Sequence, residues 1–275
     1  DHTNRYKVSE GVKLAIEEVN PAIIKIHTKH LSIMKDHMDK DKSVYLKLTS
    51  SYASIANYWK YFIGQTEQLK RLKVVEEKAA KEAAFSKWAY KEAPEYKGLM
   101  HDFAKVYNGY APYAKHATYF GECFRAPVIS KLGTSVELLY KELKKDEPNQ
   151  DTIKKHVDDM KKGRKAILKL YDKSTELDLT AEMLKMFYND IPKAQHPDVY
   201  QNVVFKKFGG ESVDKTFSDY AAYVLNNNFF IDSNAFNAFC KEPTIEKIEK
   251  DAACQLGMSF LRNYKDNYEP TVEKF

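Results

Sequence analysis

The most constraining stretch of this chain runs from Thr49 to Gln65. Leu48, Tyr52, Ile55, Trp59 and Phe62 recur there at alternating spacings of four and three. That spacing stacks them in one stripe along a helix and excludes a strand. The opposite face is unusual. At about 100° per residue, Asn57 points away from the stripe, flanked by Ser50, Ala53, Ser54, Tyr61 and Gly64. From Leu48 to Gly64 the only charge is Lys60, in a chain that is 30% charged. A surface helix carries charge on its outer face. Two readings fit a helix with one apolar and one small, neutral, polar face. It is a central core helix that packs closely on both sides, or it is the wall of a cleft with Asn57 as a fixed hydrogen-bonding amide.

Composition extends the helical reading to the whole chain. Val and Ile are sparse and Lys, Glu, Ala and Leu abundant, which disfavours a sandwich or parallel sheet. With 43% hydrophobic residues over 275, the chain can bury a sizeable core. The expected fold is all-α, an irregular multi-helix bundle of about eight to twelve helices forming a single domain over residues 1–275. The net charge of +5 comes from 44 basic residues interspersed among 39 acidic ones. That is a mixed solvated surface, so no nucleic-acid partner is expected. No run of 18 apolar residues exists, so no membrane-spanning helix is expected. Asp1 follows neither an initiator Met nor a leader, and the start is expected to be a cut in a longer chain.

Taken in order, Thr3 to Tyr6 reads as an extended lead-in, and Asn20-Pro21 is expected to end a short helix begun near Ser9. A second helix follows to Met38, and Asp41 or Ser43 caps the organising helix. Gly64 is expected to interrupt or bend it, with a long arm continuing from Gln65 to Glu92. The aromatic-rich stretch Tyr96 to Phe124 carries Gly109, Pro112 and Gly121, which predicts a kink. Further helices are expected over 127–143, 151–172, 174–188 and 213–225. The last long helix opens at Pro243 and is expected to break near Gly257.

Few residues carry chemistry. His27, His30 and His37 lie on one side of a helix and could be read as a metal face. No carboxylate shares a tight spacing with them, so no metal or other cofactor is expected. Cys123, Cys240 and Cys254 form no C-x-x-C pair; free thiols are the default, with a Cys240–Cys254 bridge open in an oxidising compartment. No G-x-S-x-G elbow, Gly-Asp-Ser-Gly turn or H-E-x-x-H is present, so no catalytic residue is assigned.

The run from Ser51 through Ile55, Asn57 and Trp59 to Gln65, with Leu69-Lys-Arg-Leu72, resembles the helical domain of a bacterial exopeptidase family. These are dipeptidyl peptidases seven and eleven, family forty-six of the serine peptidases. Thr3-Asn4-Arg5-Tyr6, Val19-Asn20-Pro21-Ala22-Ile23 and Ile33-Met34-Lys35-Asp36-His37-Met38 resemble the same family. The resemblance implies a helical cap inserted into a chymotrypsin-fold, double β-barrel peptidase. It implies a serine-type enzyme that removes dipeptides from free peptide N-termini, in the periplasm or secreted or at the cell surface. It implies that the triad belongs to the barrel, that the chain is inactive alone, and that Asn57 hydrogen-bonds the substrate's α-amino group. The implied partners are an oligopeptide substrate, the catalytic barrel of the same polypeptide and a second copy in a homodimer. The competing reading is a freestanding helical module that presents a groove to a peptide or protein.

Overall fold

The computed structural model describes residues 7–274, and no strand occurs among them. The fold is all-α. The Thr3–Tyr6 lead-in lies outside the described residues.

The first helix does not end at Asn20-Pro21. Helix α1 (Ser9–Leu14) widens into a π turn, Ala15–Val19, and continues as α2 (Asn20–Lys40). The Asn20 N–H reaches back to the Ala15 carbonyl, the i−5 bond of a π turn. The wider turn falls just before Pro21, whose ring and missing N–H would otherwise break an α ladder. Helix α3 (Lys42–Arg71) then runs 30 residues, about 45 Å at 1.5 Å per residue. Asp41 caps it, accepting from the Ser43 N–H at 2.6 Å and the Val44 N–H at 3.4 Å. The helix runs through Gly64 without interruption. The break falls at Lys73, whose φ of 49° is left-handed, and α4 (Val74–Glu92) follows. The expected Gln65–Glu92 arm is therefore the end of α3 plus a separate helix.

Helix α5 (Leu99–Thr118) passes through Pro112 and ends in a second π turn, Tyr119–Phe124. The irregularity expected of this stretch is thus a change of winding around Gly121. Beyond it lie α6 (Val128–Thr134), α7 (Glu137–Leu143), α8 (Gln150–Ile167), α9 (Lys173–Asp190) and α10 (Val213–Asn226), with a third π turn at Tyr200–Phe205 before α10. The chain closes with α11 (Ser233–Lys241), α12 (Ile245–Lys250), α13 (Ala252–Asn267) and the short α14 (Glu269–Val272). Helices are shorter and more numerous than the sequence suggests, because single expected helices split in two. The last one breaks at Asp251, not Gly257: Asp251 ends α12 and caps α13, accepting from the Cys254 N–H at 2.9 Å.

Gly257 has a different role. A Cβ built there would overlap the backbone of Gly133 and Thr134, and one on Gly133 would overlap the Ala253 carbonyl. Helices α6 and α13 cross backbone to backbone at this glycine pair. The main core surrounds the crossing. Phe124, Ile129, Leu132, Met183, Phe187, Phe217 and Phe260 are all fully or nearly fully buried in it. Phe124 and Phe260 stack with nearly parallel rings and centroids 4.0 Å apart.

Helix α3 lies outside that core. Its Val44 and Leu48 join Met34 and Met38 of α2 in a small satellite cluster, with Tyr52 and Ile55 packed against it. Leu69 joins Val12 and Ile16 in another. The predicted stripe does face inward, but Tyr52, Ile55, Trp59 and Phe62 are only half-buried. The core-helix reading of this element is corrected: α3 rides on α2, and its neutral face is covered by nothing among the described residues. No helix among them is long and apolar enough to cross a membrane.

Candidate functional site

The open face of α3 is the candidate site. Ser50, Ala53, Ser54, Asn57 and Tyr61 are all exposed there. The Asn57 amide has no hydrogen-bond partner among the described residues. It offers one carbonyl acceptor and two N–H donors. The small residues on either side leave it reachable by a ligand.

The opposite side of α3 is pinned. Trp59 donates its indole N–H to the Thr28 hydroxyl of α2 at 2.9 Å. Tyr58 donates its hydroxyl to Glu122 Oε1 at 3.2 Å, and His27 Nε2 pairs with Glu122 Oε2 at 2.9 Å. The Tyr58 ring meets the His27 ring edge-on, with centroids 5.3 Å apart. Burial, and then the Glu122 carboxylate, push the Tyr58 phenol up to about 12, so it remains a donor at neutral pH. Two turns further, Asn20 donates to both Gln65 Oε1 at 2.9 Å and Thr66 Oγ1 at 3.0 Å. Near the start of the helix, Lys47 donates to the Tyr171 carbonyl at 2.8 Å. These bonds fix the rotation of α3 about its axis, which places Asn57 on a rigid support, as a recognition group requires.

The three histidines singled out from the sequence do not form a metal face. His27 pairs with Glu122, and His37 Nε2 lies 2.8 Å from Asp178. The His27 and His30 ring centroids stand 6.4 Å apart. Among the described residues no group of three or more His, Cys, Asp or Glu side chains is placed to hold a metal ion. The three cysteines are free, so Cys240 and Cys254 do not pair. Cys123 donates its thiol to the Met183 carbonyl at 3.1 Å inside the core, and burial raises the thiol far above its ordinary range.

Sequence reasoning missed Glu122, which joins Tyr58 of α3 to His27 of α2. Its neighbours in sequence, Gly121 and Cys123, give no sign of it; only the packing of the second π turn against α2 and α3 brings it there.

The family model for peptidase S46 matches residues 1–275. The chain belongs to the S46 peptidases. Among curated S46 relatives, it is 31% identical over 268 residues to a dipeptidyl-peptidase 7 of Porphyromonas gingivalis, covering 94% of this chain and 35% of that protein. It is 26% identical to an Asp/Glu-specific dipeptidyl-peptidase of Flavobacterium psychrophilum, covering 98% of this chain and 36% of that one. A solved structure, Porphyromonas endodontalis DPP11 in complex with substrate, superposes with a TM-score of 0.74 at 16% identity. The match covers 98% of this S46 chain and 36% of the DPP11 chain. At that identity the likeness establishes the fold. The chain spans about a third of the length of these relatives.

Proposed function

We propose that this chain is the helical cap and substrate-binding part of a serine-type dipeptidyl peptidase that removes dipeptides from free peptide N-termini. In this reading the nucleophile, base and oxyanion donors come from a catalytic β-barrel of the same polypeptide, and the chain alone is inactive. Asn57 accepts a hydrogen bond from the substrate's α-ammonium, and the barrel supplies the charged partner for that ammonium. The enzyme works in the periplasm or at the cell surface.

The observation that carries the proposal is the state of Asn57. Its amide is exposed and unpartnered, amid small neutral residues, on a helix whose other side is held by Trp59, Tyr58 and Asn20. The S46 membership, and the dipeptidyl-peptidase names of the relatives, support the reaction class. A hydrogen bond from an ammonium to an amide oxygen contributes roughly 1.5–3 kcal/mol. Exopeptidase selectivity follows, because a blocked or internal amine cannot supply that donor charge. The test is Asn57→Ala in the full-length enzyme, assayed on a dipeptidyl substrate. A selective fall in kcat/KM with unchanged stability is expected, and unchanged kinetics would overturn the role.

A further inference from the structure

A groove with a cavity volume of about 1040 Å³ opens between α5, α7, the third π turn, α12 and α13. Helix α3 contributes no residue to its lining. The buried side chains of Val199, Ile248 and Met258 supply apolar lining. Five carboxamides line it as well: Gln195, Asn202, Gln255, Asn263 and Asn267.

Three of these carboxamides are held in the same sense. Gln255 donates its side-chain N–H to the Glu249 carbonyl at 2.7 Å, Asn263 to the Gln195 carbonyl at 3.2 Å, and Asn267 to the Asn263 carbonyl at 3.1 Å. Each is fixed by its donor end, which leaves its side-chain carbonyl oxygen as a spare acceptor. The Asn263 Oδ1 is buried and has no hydrogen-bond partner. Buried polar atoms in folded proteins are nearly always satisfied. A lining of spare acceptors suits a ligand rich in N–H donors.

The charges beside the groove sort into two sets. Tyr140 donates its hydroxyl to Glu249 Oε1 at 2.6 Å, and Lys144 and Arg262 both stand over the Tyr140 ring, 4.8 and 5.2 Å from its centroid. Glu249 therefore has cations close by. Asp198 and Asp266 do not. Arg262 precedes Asp266 by one turn of α13, a spacing that permits an ion pair, yet it lies over Tyr140 instead. Neither aspartate side chain has an ion-pair or hydrogen-bond partner among the described residues. His196, the other basic side chain in the lining, is kept neutral because burial lowers it. Two unanswered carboxylates thus stand beside the spare carbonyls.

We infer that this groove binds a basic peptide segment. Its main-chain N–H groups meet the carbonyl ends of Gln255, Asn263 and Asn267, and its lysine or arginine side chains meet Asp198 and Asp266. The methylenes of those side chains lie on the apolar lining, as long cationic side chains do. Size favours a chain over a small amine: about 1040 Å³ stands at the top of the roughly 300–1,000 Å³ of small-molecule pockets. Because α3 lines no part of the groove, the segment needs no free amino terminus, and the inference does not rest on the Asn57 reading.

The test is a calorimetric titration of the full-length protein with acetyl-Ala-Lys-Ala-Lys-Ala-Lys-amide, whose blocked amine offers nothing to Asn57. Saturable binding is expected, and it should be unchanged in Asn57→Ala. Replacing the three lysines of the probe by glutamine should weaken it roughly tenfold, as should Asp198→Asn combined with Asp266→Asn. Both aspartates are exposed, so the doubly substituted protein should fold. Asp159→Asn, at an exposed position of α8 outside the lining, should leave binding as it is. Absence of saturable binding overturns the inference, as does full affinity in the doubly substituted protein. Equal loss in Asp159→Asn would reduce the binding to bulk charge, and loss in Asn57→Ala would place the peptide on α3; either overturns it. Spermidine binding as tightly as the peptide would overturn the assignment to a peptide.

Discussion

Trp59 and Thr28 are joined by an indole N–H to hydroxyl hydrogen bond of 2.9 Å, and the Thr28 hydroxyl in turn donates a hydrogen bond to the Ile24 carbonyl at 2.7 Å. This relay ties α3 to α2 two residues beyond Asn57. It sets which way Asn57 points, although Trp59 itself is only half-buried.

Replacing Trp59 by Phe keeps an aromatic ring and removes the relay. A neutral hydrogen bond of this kind contributes about 1 kcal/mol, so Trp59→Phe should lower the midpoint of thermal unfolding by a few degrees. Trp59→Ala should cost about 2 kcal/mol, less than the 3–5 typical of a fully buried aromatic, because half of the ring already meets solvent. Calorimetric unfolding of both variants checks this; a Trp59→Ala loss as large as that of a core phenylalanine such as Phe260→Ala would contradict it.

The Gly133–Gly257 crossing makes a paired prediction. Gly257→Ala drives a methyl into the α6 backbone, and should cost roughly 3 kcal/mol or more because backbone cannot yield as a side chain does. Gly163→Ala in α8 meets nothing within 4 Å, and should stabilise by about 0.5–1 kcal/mol through helix propensity. Denaturant titrations of the two variants should move in opposite directions.

Glu176 supplies a pH dependence. It is 4% exposed, and burial, only partly offset by the Ile129 and Val128 amides, raises its carboxyl from 4.5 to about 7. The folded state therefore holds a proton that the unfolded state has already lost between these values. Stability contributed by this group falls as pH rises from about 4.5 to about 7. His30 acts oppositely: burial lowers it to about 3, so its contribution falls as pH drops below the unfolded value of 6.5. The two overlap in the wild-type curve, and a variant separates them. Glu176→Gln should gain up to about 3 kcal/mol over wild type between pH 4.5 and 7, at 1.36 kcal/mol per unit. Unfolding free energies of both proteins across that range test the sign; a constant difference would show that Glu176 is not protonated in the folded state.

The helical class was legible because apolar residues repeat at helical spacing from α2 onward, and because Asp41 announces the start of α3. The inward stripe of α3 and the outward position of Asn57 follow from the same periodicity. Breaks were harder to read. Pro21 and Gly257 are ordinary helix breakers in sequence, yet one is absorbed by a π turn and the other exists for a helix crossing. Lys73, where the chain does turn, is a helix-favouring residue with nothing to mark its left-handed backbone. Glu122, Glu176 and Lys131 were invisible as a group, since they meet only when distant helices pack.

The isolated chain should release no dipeptides. In the proposed reading the nucleophile, base and oxyanion donors all lie in the barrel. Incubation of the pure 275-residue chain with a dipeptidyl substrate should give only the uncatalysed rate. Turnover abolished by a serine-directed inhibitor would contradict the division of labour proposed between this chain and a barrel.

The central claim is the Asn57 anchor, and one kinetic comparison tests it most directly. In the full-length enzyme, Asn57→Ala is measured against wild type on a peptide with a free amino terminus, with thermal unfolding recorded in parallel. The lost charge-assisted bond, roughly 1.5–3 kcal/mol, predicts a fall in kcat/KM of about 10- to 100-fold and an unchanged unfolding midpoint, since Asn57 contributes nothing to the packing of α3. Full activity in a folded Asn57→Ala enzyme would contradict the account and leave the neutral face of α3 as a surface for packing alone.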